Sequence, residues 1–150
     1  MQGGENDNID TRYDENVSRR TIANTNKPFY RLLIVDDDNE ILKTMKQILE
    51  DKDLLVYPFS NPLEALSAFN PGLYDLLLID VKMPQMNGFE FYQQIRKRNK
   101  NRDIKTCFIT EYDVYYESLK KEFPGLNVGC FIRKPVKAEE LANKINQELQ

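Results

Sequence analysis

From Phe29 to its last residue the chain alternates between two hydrophobic patterns. Short apolar runs at Arg31-Val35, Leu54-Phe59, Asp75-Ile79, Lys105-Thr110 and Val128-Arg133 have the composition of strands buried on both faces. Between the first two, Ile41, Leu42, Met45, Ile48 and Leu49 recur at helical spacing and form one apolar stripe. Pro62 opens a second helix carrying Leu63, Leu66 and Phe69, which Asn70-Pro71-Gly72 stops. Phe89, Tyr92 and Ile95 mark a third helix; Val114 to Phe123, closed by Pro124-Gly125, a fourth; Leu141, Ile145 and Leu149 a fifth. Strands separated by single helices pair in parallel through right-handed crossovers, and buried parallel strands need helices on both faces. The pattern therefore predicts an α/β fold, a doubly wound (βα)5 sandwich around a five-stranded parallel sheet. Residues 1–28 are polar and without period, which predicts a mobile tail ahead of one domain at 29–150. Ser18 and Thr21 beside Arg19-Arg20 leave a regulatory site open in that tail, against the plainer reading of a solvated segment.

Composition narrows the function. A chain of 150 residues suits one domain with a substantial core. A net charge of -3 and no basic stripe argue against direct nucleic-acid binding. No apolar run is long enough to span a membrane, and MQGGENDNID has neither the basic nor the apolar region of a signal peptide, so the expected location is cytoplasmic. Cys107 and Cys130 each sit in a short apolar run and are expected to be buried thiols rather than a disulfide or a metal clip. Histidine is absent altogether, which removes the commonest general base and metal ligand. Chemistry must then use carboxylates, hydroxyls and lysines.

In a doubly wound sheet the site lies beyond the carboxyl ends of the strands, where strand order reverses. Asp36-Asp37-Asp38 follow the first strand, Asp80 the third, Thr110 the fourth, and Lys134-Pro135 the fifth. Each has a plain alternative: Asp37 with Glu40 resembles a capping box, Asp80 and Thr110 suit caps, and Lys134 suits a solvated charge. Magnitudes discriminate. A cap contributes about 1 kcal/mol, whereas two like charges at about 4 Å repel by roughly 4 kcal/mol at an effective dielectric near 20. Converging acids at Asp36, Asp37 and Asp80 would need a divalent cation, and oxygen-only donors favour Mg²⁺ over zinc. Lys134 would offset further negative charge. An anion such as a phosphoryl group, bridging metal, lysine and the Thr110 hydroxyl, would complete the site.

The runs LLIVDDD at 32–38, DVKMPQMNG at 80–88, CFIT at 107–110 and FIRKP at 131–135, in this order, resemble a response regulator receiver domain over residues 30–150. The resemblance implies a flavodoxin-like strand order 2-1-3-4-5. It makes Asp80 the phosphoacceptor, with Asp36, Asp37, Asp80 and the Lys82 backbone carbonyl as ligands to Mg²⁺ or Mn²⁺. Lys134 and Thr110 would hold the phosphoryl group, and Thr110 with Phe131 would form a switch that alters the surface of the fourth helix, fifth strand and fifth helix (the α4-β5-α5 face in family terms). Asp38 matches no family role and is read as a helix cap or solvated charge.

The implied activity is self-catalysed phosphoacceptance and autodephosphorylation in a two-component phosphorelay, not turnover. Implied partners are a sensor histidine kinase or histidine phosphotransfer protein upstream and a protein partner downstream, with a homodimer left open and neither nucleic acid nor membrane involved. No output domain is recognisable after the fifth helix, so a stand-alone receiver is expected. Three features depart from the family pattern. Glu111 stands where a small residue is usual, Lys82 places a cation two residues after Asp80, and Phe131 lacks a hydroxyl. Tyr112, Tyr115, Tyr116 and Phe123 offer either partner contacts or core packing. Two other readings stay open: a constitutive, unphosphorylated interaction module, which Glu111 favours, and a phosphohydrolase built on Asp36-x-Asp38, which the Met83-Pro84 and Lys134-Pro135 contexts disfavour.

Overall fold

The computed structural model describes residues 29–99, 104–111, 117, 120–122 and 130–150. The tail expected at 1–28 lies outside these, as do most of the fourth helix expected at Val114 to Phe123 and the aromatics Tyr112, Tyr115, Tyr116 and Phe123; residues 117 and 120–122 are helical. In chain order the elements are β1 (Arg31–Val35), α1 (Asn39–Glu50), β2 (Leu55–Phe59), α2 (Pro62–Ala68), β3 (Leu76–Asp80), α3 (Gly88–Arg98), β4 (Lys105–Thr110), β5 (Cys130–Arg133) and a last helix, Ala138–Leu149.

The five strands form one parallel sheet in the order β2-β1-β3-β4-β5. Its two faces are read directly from alternate side chains. Leu32, Ile34, Leu76, Leu78, Cys107, Ile109 and Ile132 pack with Leu42, Met45 and Leu49 of α1 and Leu141 and Ile145 of the last helix. Leu33, Val35, Leu77, Ile79 and Phe108 pack with Ala65 of α2 and Phe89, Phe91 and Ile95 of α3. Because both faces are covered, β1 from Leu32 to Val35 and β3 from Leu76 to Ile79 are continuously apolar instead of alternating, and all five residues of β3, Asp80 included, are buried.

Side-chain caps set the starts of α1, α2 and α3. Asp38 Oδ1 accepts from the amides of Glu40 and Ile41 at 3.0 and 3.2 Å, so Asp38 caps α1. The capping box expected between Asp37 and Glu40 is therefore one residue out of place. Asn61 caps α2, and Asn87 with Glu90 forms a reciprocal capping box at α3.

The cysteines correct the expectation of separate thiols. Cys107 and Cys130 lie directly opposite one another in the β4–β5 register, with Cα atoms 4.5 Å apart, and are joined as a disulfide. Burial of both was legible in the two apolar runs. Their pairing was not, because strand order and register bring together residues separated by 23 positions.

Candidate functional site

Strand order reverses at β1, whose neighbours are β2 and β3, and this is where the carboxylates gather. Asp36 continues β1, its amide donating to the Phe59 carbonyl at 3.1 Å, and its side chain has no solvent exposure. Asp80 is the last residue of β3 and is 4% exposed, so the strand ends one residue later than its apolar run predicts. Asp37 is exposed beside them. One carboxylate oxygen from each of Asp36, Asp37 and Asp80 lies within 4.8 Å of the other two.

Lys134, arriving from β5, closes the site. Its Nζ donates to Asp36 Oδ2 at 2.9 Å and lies 3.4 Å from Asp80 Oδ1. Its backbone amide donates to the Thr110 carbonyl at 2.8 Å, which ties the ends of β4 and β5 together. The other Asp36 oxygen, Oδ1, accepts from the Asp38 amide at 2.9 Å. Both oxygens of Asp36 are thus positioned, one by the backbone turn and one by the lysine.

The remaining predicted residues divide into two groups. Thr110 is buried at the end of β4 and lines the same cleft as Asp80 and Lys134, together with Lys82, Met83, Pro84 and Glu111. Lys82 and Glu111 are exposed at its mouth. Phe131 is not in the cleft lining: it lies half-buried on the α2–α3 side of the sheet, its ring 6.3 Å from that of Phe108, which in turn meets Phe89 and Tyr92 edge-on. Asp38 faces the cleft while its side chain caps α1, an arrangement that leaves little for the Asp36-x-Asp38 hydrolase reading.

Gly88 is a site residue that the sequence reading quoted within DVKMPQMNG without assigning it a role. A Cβ built on it would overlap the backbone carbonyl oxygen of Asp80 and stand 3.0 Å from Ile79 Cγ2 and Val81 Cα. Its amide donates to the Val81 carbonyl at 2.8 Å, so the start of α3 rests against the end of β3. The glycine at the end of that run was the available signal.

Electrostatics follow from burial. Asp80 is pushed up to about 7, first by burial and then by the charge of Asp36, with Lys134 only partly compensating. Burial also raises Asp36, against the lowering effects of the Asp38 amide and Lys134. Burial by itself would lower Lys134, but its contacts with Asp36 and Asp80 outweigh that and raise it. The donor set is three carboxylates, all oxygen, which fits a hard divalent cation such as Mg²⁺ and suits soft thiophilic metals poorly.

A pH dependence follows. Were a cation held by Asp36, Asp37 and Asp80, it would need Asp80 ionised, and Mg²⁺ affinity would then rise with pH by up to about tenfold per unit below neutrality and level off above about pH 7. Calorimetric titration in buffers of different ionisation enthalpy should show proton release on binding at acid pH. An affinity independent of pH across the range of about 5.5 to 8 would show that Asp80 does not titrate there.

Comparison with known proteins places this geometry. The family model for the response regulator receiver domain matches residues 32–146. The cyclic di-GMP phosphodiesterase response regulator RpfG of Xanthomonas campestris is 36% identical over 121 residues, covering 79% of this chain and 32% of that protein. Hybrid signal transduction histidine kinase B of Dictyostelium discoideum is 27% identical over 138 residues, 85% of this chain and 7% of that protein. The chain therefore spans a third or less of the length of these two relatives. Among solved structures, the response regulator protein TrrA of Thermotoga maritima in complex with Mg²⁺ and BeF superposes with a TM-score of 0.69 at 30% identity, covering 81% of this chain and 100% of that one.

Proposed function

Since the chain belongs to the response regulator receiver family of two-component signalling, we propose that Asp80 accepts a phosphoryl group at a site where Asp36, Asp37, Asp80 and the Lys82 backbone carbonyl hold Mg²⁺ or Mn²⁺. The observation that carries this reading is the convergence of Asp36, Asp37 and Lys134 on Asp80, a buried aspartate at the end of a strand. When bound, the cation supplies the neutralising charge that lets all three acids ionise and lets phosphoryl oxygens approach them.

The chain's own residues do the rest. An Asp80 carboxylate oxygen attacks phosphorus in line, forming a P–O bond as the bond to the donor breaks. The donor's leaving group takes up the proton it needs. With no histidine in the chain, the donor is a histidine on a sensor kinase or phosphotransfer protein, or a small phosphodonor. Lys134, within reach of both Asp36 and Asp80, neutralises the phosphoryl oxygens, and the Thr110 hydroxyl donates to one of them. Moving Thr110 inward shifts the end of β4 and the packing of Phe131 on Phe108, which changes the face formed by the fourth helix, β5 and the last helix for a protein partner. To move such a switch from 1:99 to 99:1, the phosphoryl contacts must favour one state by about 5.5 kcal/mol, a magnitude that several charge-assisted hydrogen bonds reach.

Glu111 carries a second reading. Its exposed carboxylate at the cleft mouth repels an anionic donor and favours a receiver that binds its partner without phosphorylation. Incubation with Mg²⁺ and a small phosphodonor, followed by intact-mass measurement, separates the two. We expect a gain of one phosphoryl group that is stable in acid, labile in base and lost when the cation is chelated. The absence of any adduct, with a histidine kinase as donor as well, would leave the constitutive module standing.

A further inference from the structure

We propose that Cys107 and Cys130 form a reversible dithiol–disulfide site that sets how firmly β5 is held to β4, exchanging with a disulfide of a small thiol or of another protein. The site is independent of phosphoryl transfer. Three observations carry it.

The first is placement. The sulfurs meet across β4 and β5 in direct register, Cys107 three residues before Thr110 and Cys130 four before Lys134. Beyond the cross-link, toward the cleft, the same pair of strands is joined by the hydrogen bond from the Lys134 amide to the Thr110 carbonyl. The bond is thus a second fastening on the two strand ends that carry Thr110, Phe131 and Lys134.

The second is that either state suits the fold. Both cysteines are buried in the cluster formed by Ile109, Ile132, Leu141 and Ile145, where a thiol packs as a small apolar group. Apart from the bond between the sulfurs, the parallel ladder and this cluster also join the two strands. Opening the bond therefore loosens an edge instead of dismantling the core.

The third is access. β5, described over Cys130–Arg133, stands last in the sheet order. Cys107 has no exposure, whereas Cys130 retains 7%. Cys130 is consequently the sulfur that meets the reagent, when the start of β5 opens. Its thiolate attacks one sulfur of the reagent disulfide, forming a mixed disulfide and expelling one thiolate. The Cys107 thiolate then attacks the Cys130 sulfur and expels the second. The protein loses two protons and two electrons, and the reagent is reduced to two thiols. Burial of both sulfurs keeps reagents from them, so exchange should run far slower than at an exposed cysteine.

The test uses the whole chain, treated with reduced or oxidised glutathione and then freed of it. Intact mass and alkylation under denaturing conditions should show two free thiols after reduction and none after oxidation, a difference of two hydrogens, interconverting in both directions. The oxidised form should melt several degrees higher, and amides of β5 should exchange at least about tenfold more slowly in it. Cys130→Ser should fold and lose both differences; if it does not fold, Cys107→Ala serves the same purpose and the mass comparison on the unsubstituted chain still decides. The proposal is overturned if the thiols stay free after oxidation, if reaction stops at a mixed disulfide, or if the two forms melt and exchange alike. None of these readouts depends on whether Asp80 accepts a phosphoryl group.

Discussion

Asp80→Asn is expected to abolish phosphoryl acceptance and, without Mg²⁺, to make the protein more stable at neutral pH and above. The first effect is complete loss of the adduct, because an amide is not a nucleophile at that position. The second follows from the site's own repulsion. Asp80 loses its proton near its ordinary value of 3.8 in the unfolded chain but only at about 7 in the folded one, chiefly through burial and the nearby Asp36. Between those values the folded state holds a proton that the unfolded state has released. Stability of the metal-free protein therefore falls as pH rises from about 4 to about 7 and stays low above that. The loss is on the order of 4 kcal/mol, shared with the coupled Asp36 and Lys134 groups. Asparagine removes the titrating group while Lys134 keeps its 2.9 Å pair with Asp36. Urea unfolding without metal should show the variant more stable by a few kcal/mol at about pH 8 and nearly equal to the parent at about pH 4. A variant less stable at the higher pH would mean that the Lys134 contact outweighs the burial of Asp80. If the site takes Mg²⁺ as proposed, saturating Mg²⁺ should narrow the gap, since the parent offers one carboxylate more than the variant.

How far the sequence reaches is clear from particular residues. β1 and β3 were legible because an apolar run bounded by acids has few other uses, and their burial fixes where Asp36 and Asp80 emerge. The convergence of Asp36, Asp80 and Lys134 required the crossover rule and a resemblance, since no local pattern brings residues 98 positions apart within 2.9 Å. The sequence offered both Asp37, paired with Glu40, and Asp38 as caps, and the reading of Asp38 as a cap holds. Only the backbone turn, with the Asp38 amide bound to Asp36 Oδ1, puts the Asp38 side chain over the first turn of α1. The cysteine pairing depended on register across β4 and β5, which periodicity does not encode. Gly88 escaped for a related reason: a glycine's importance here lies in what its missing Cβ would touch, and that is a property of another strand's backbone.

Gly88→Ala is the second large expected effect, and it tests whether the start of α3 positions the end of β3. The glycine does not need a left-handed backbone, so no strain of conformation is at issue; what it supplies is space. Its added methyl would overlap the Asp80 carbonyl oxygen, with Val81 Cα on the other side at 3.0 Å. Neither is the free end of a side chain that could turn away. Either α3 retreats, losing the Gly88 to Val81 hydrogen bond and the Phe89, Phe91 and Ile95 packing, or the Asp80 peptide rotates and moves its carboxylate. Overpacking of this kind costs about 1 to 3 kcal/mol. The two responses have different signatures. Retreat of α3 lowers the unfolding midpoint and leaves Mg²⁺ affinity near that of the parent. Rotation at Asp80 should weaken Mg²⁺ binding by about tenfold or more, since it displaces one of the three carboxylates proposed to hold the cation. The backbone of β3 is held by strands on both sides, whereas the first turn of α3 is held by its cap and one face. We therefore expect the loss to fall mainly on stability, with Asn87→Ala, which removes the cap but adds no atom near Asp80, losing about 1 kcal/mol and no affinity. A Gly88→Ala protein as stable as the parent and binding Mg²⁺ equally well would show that the contact between α3 and β3 yields freely, and that Asp80 is positioned by its own strand alone.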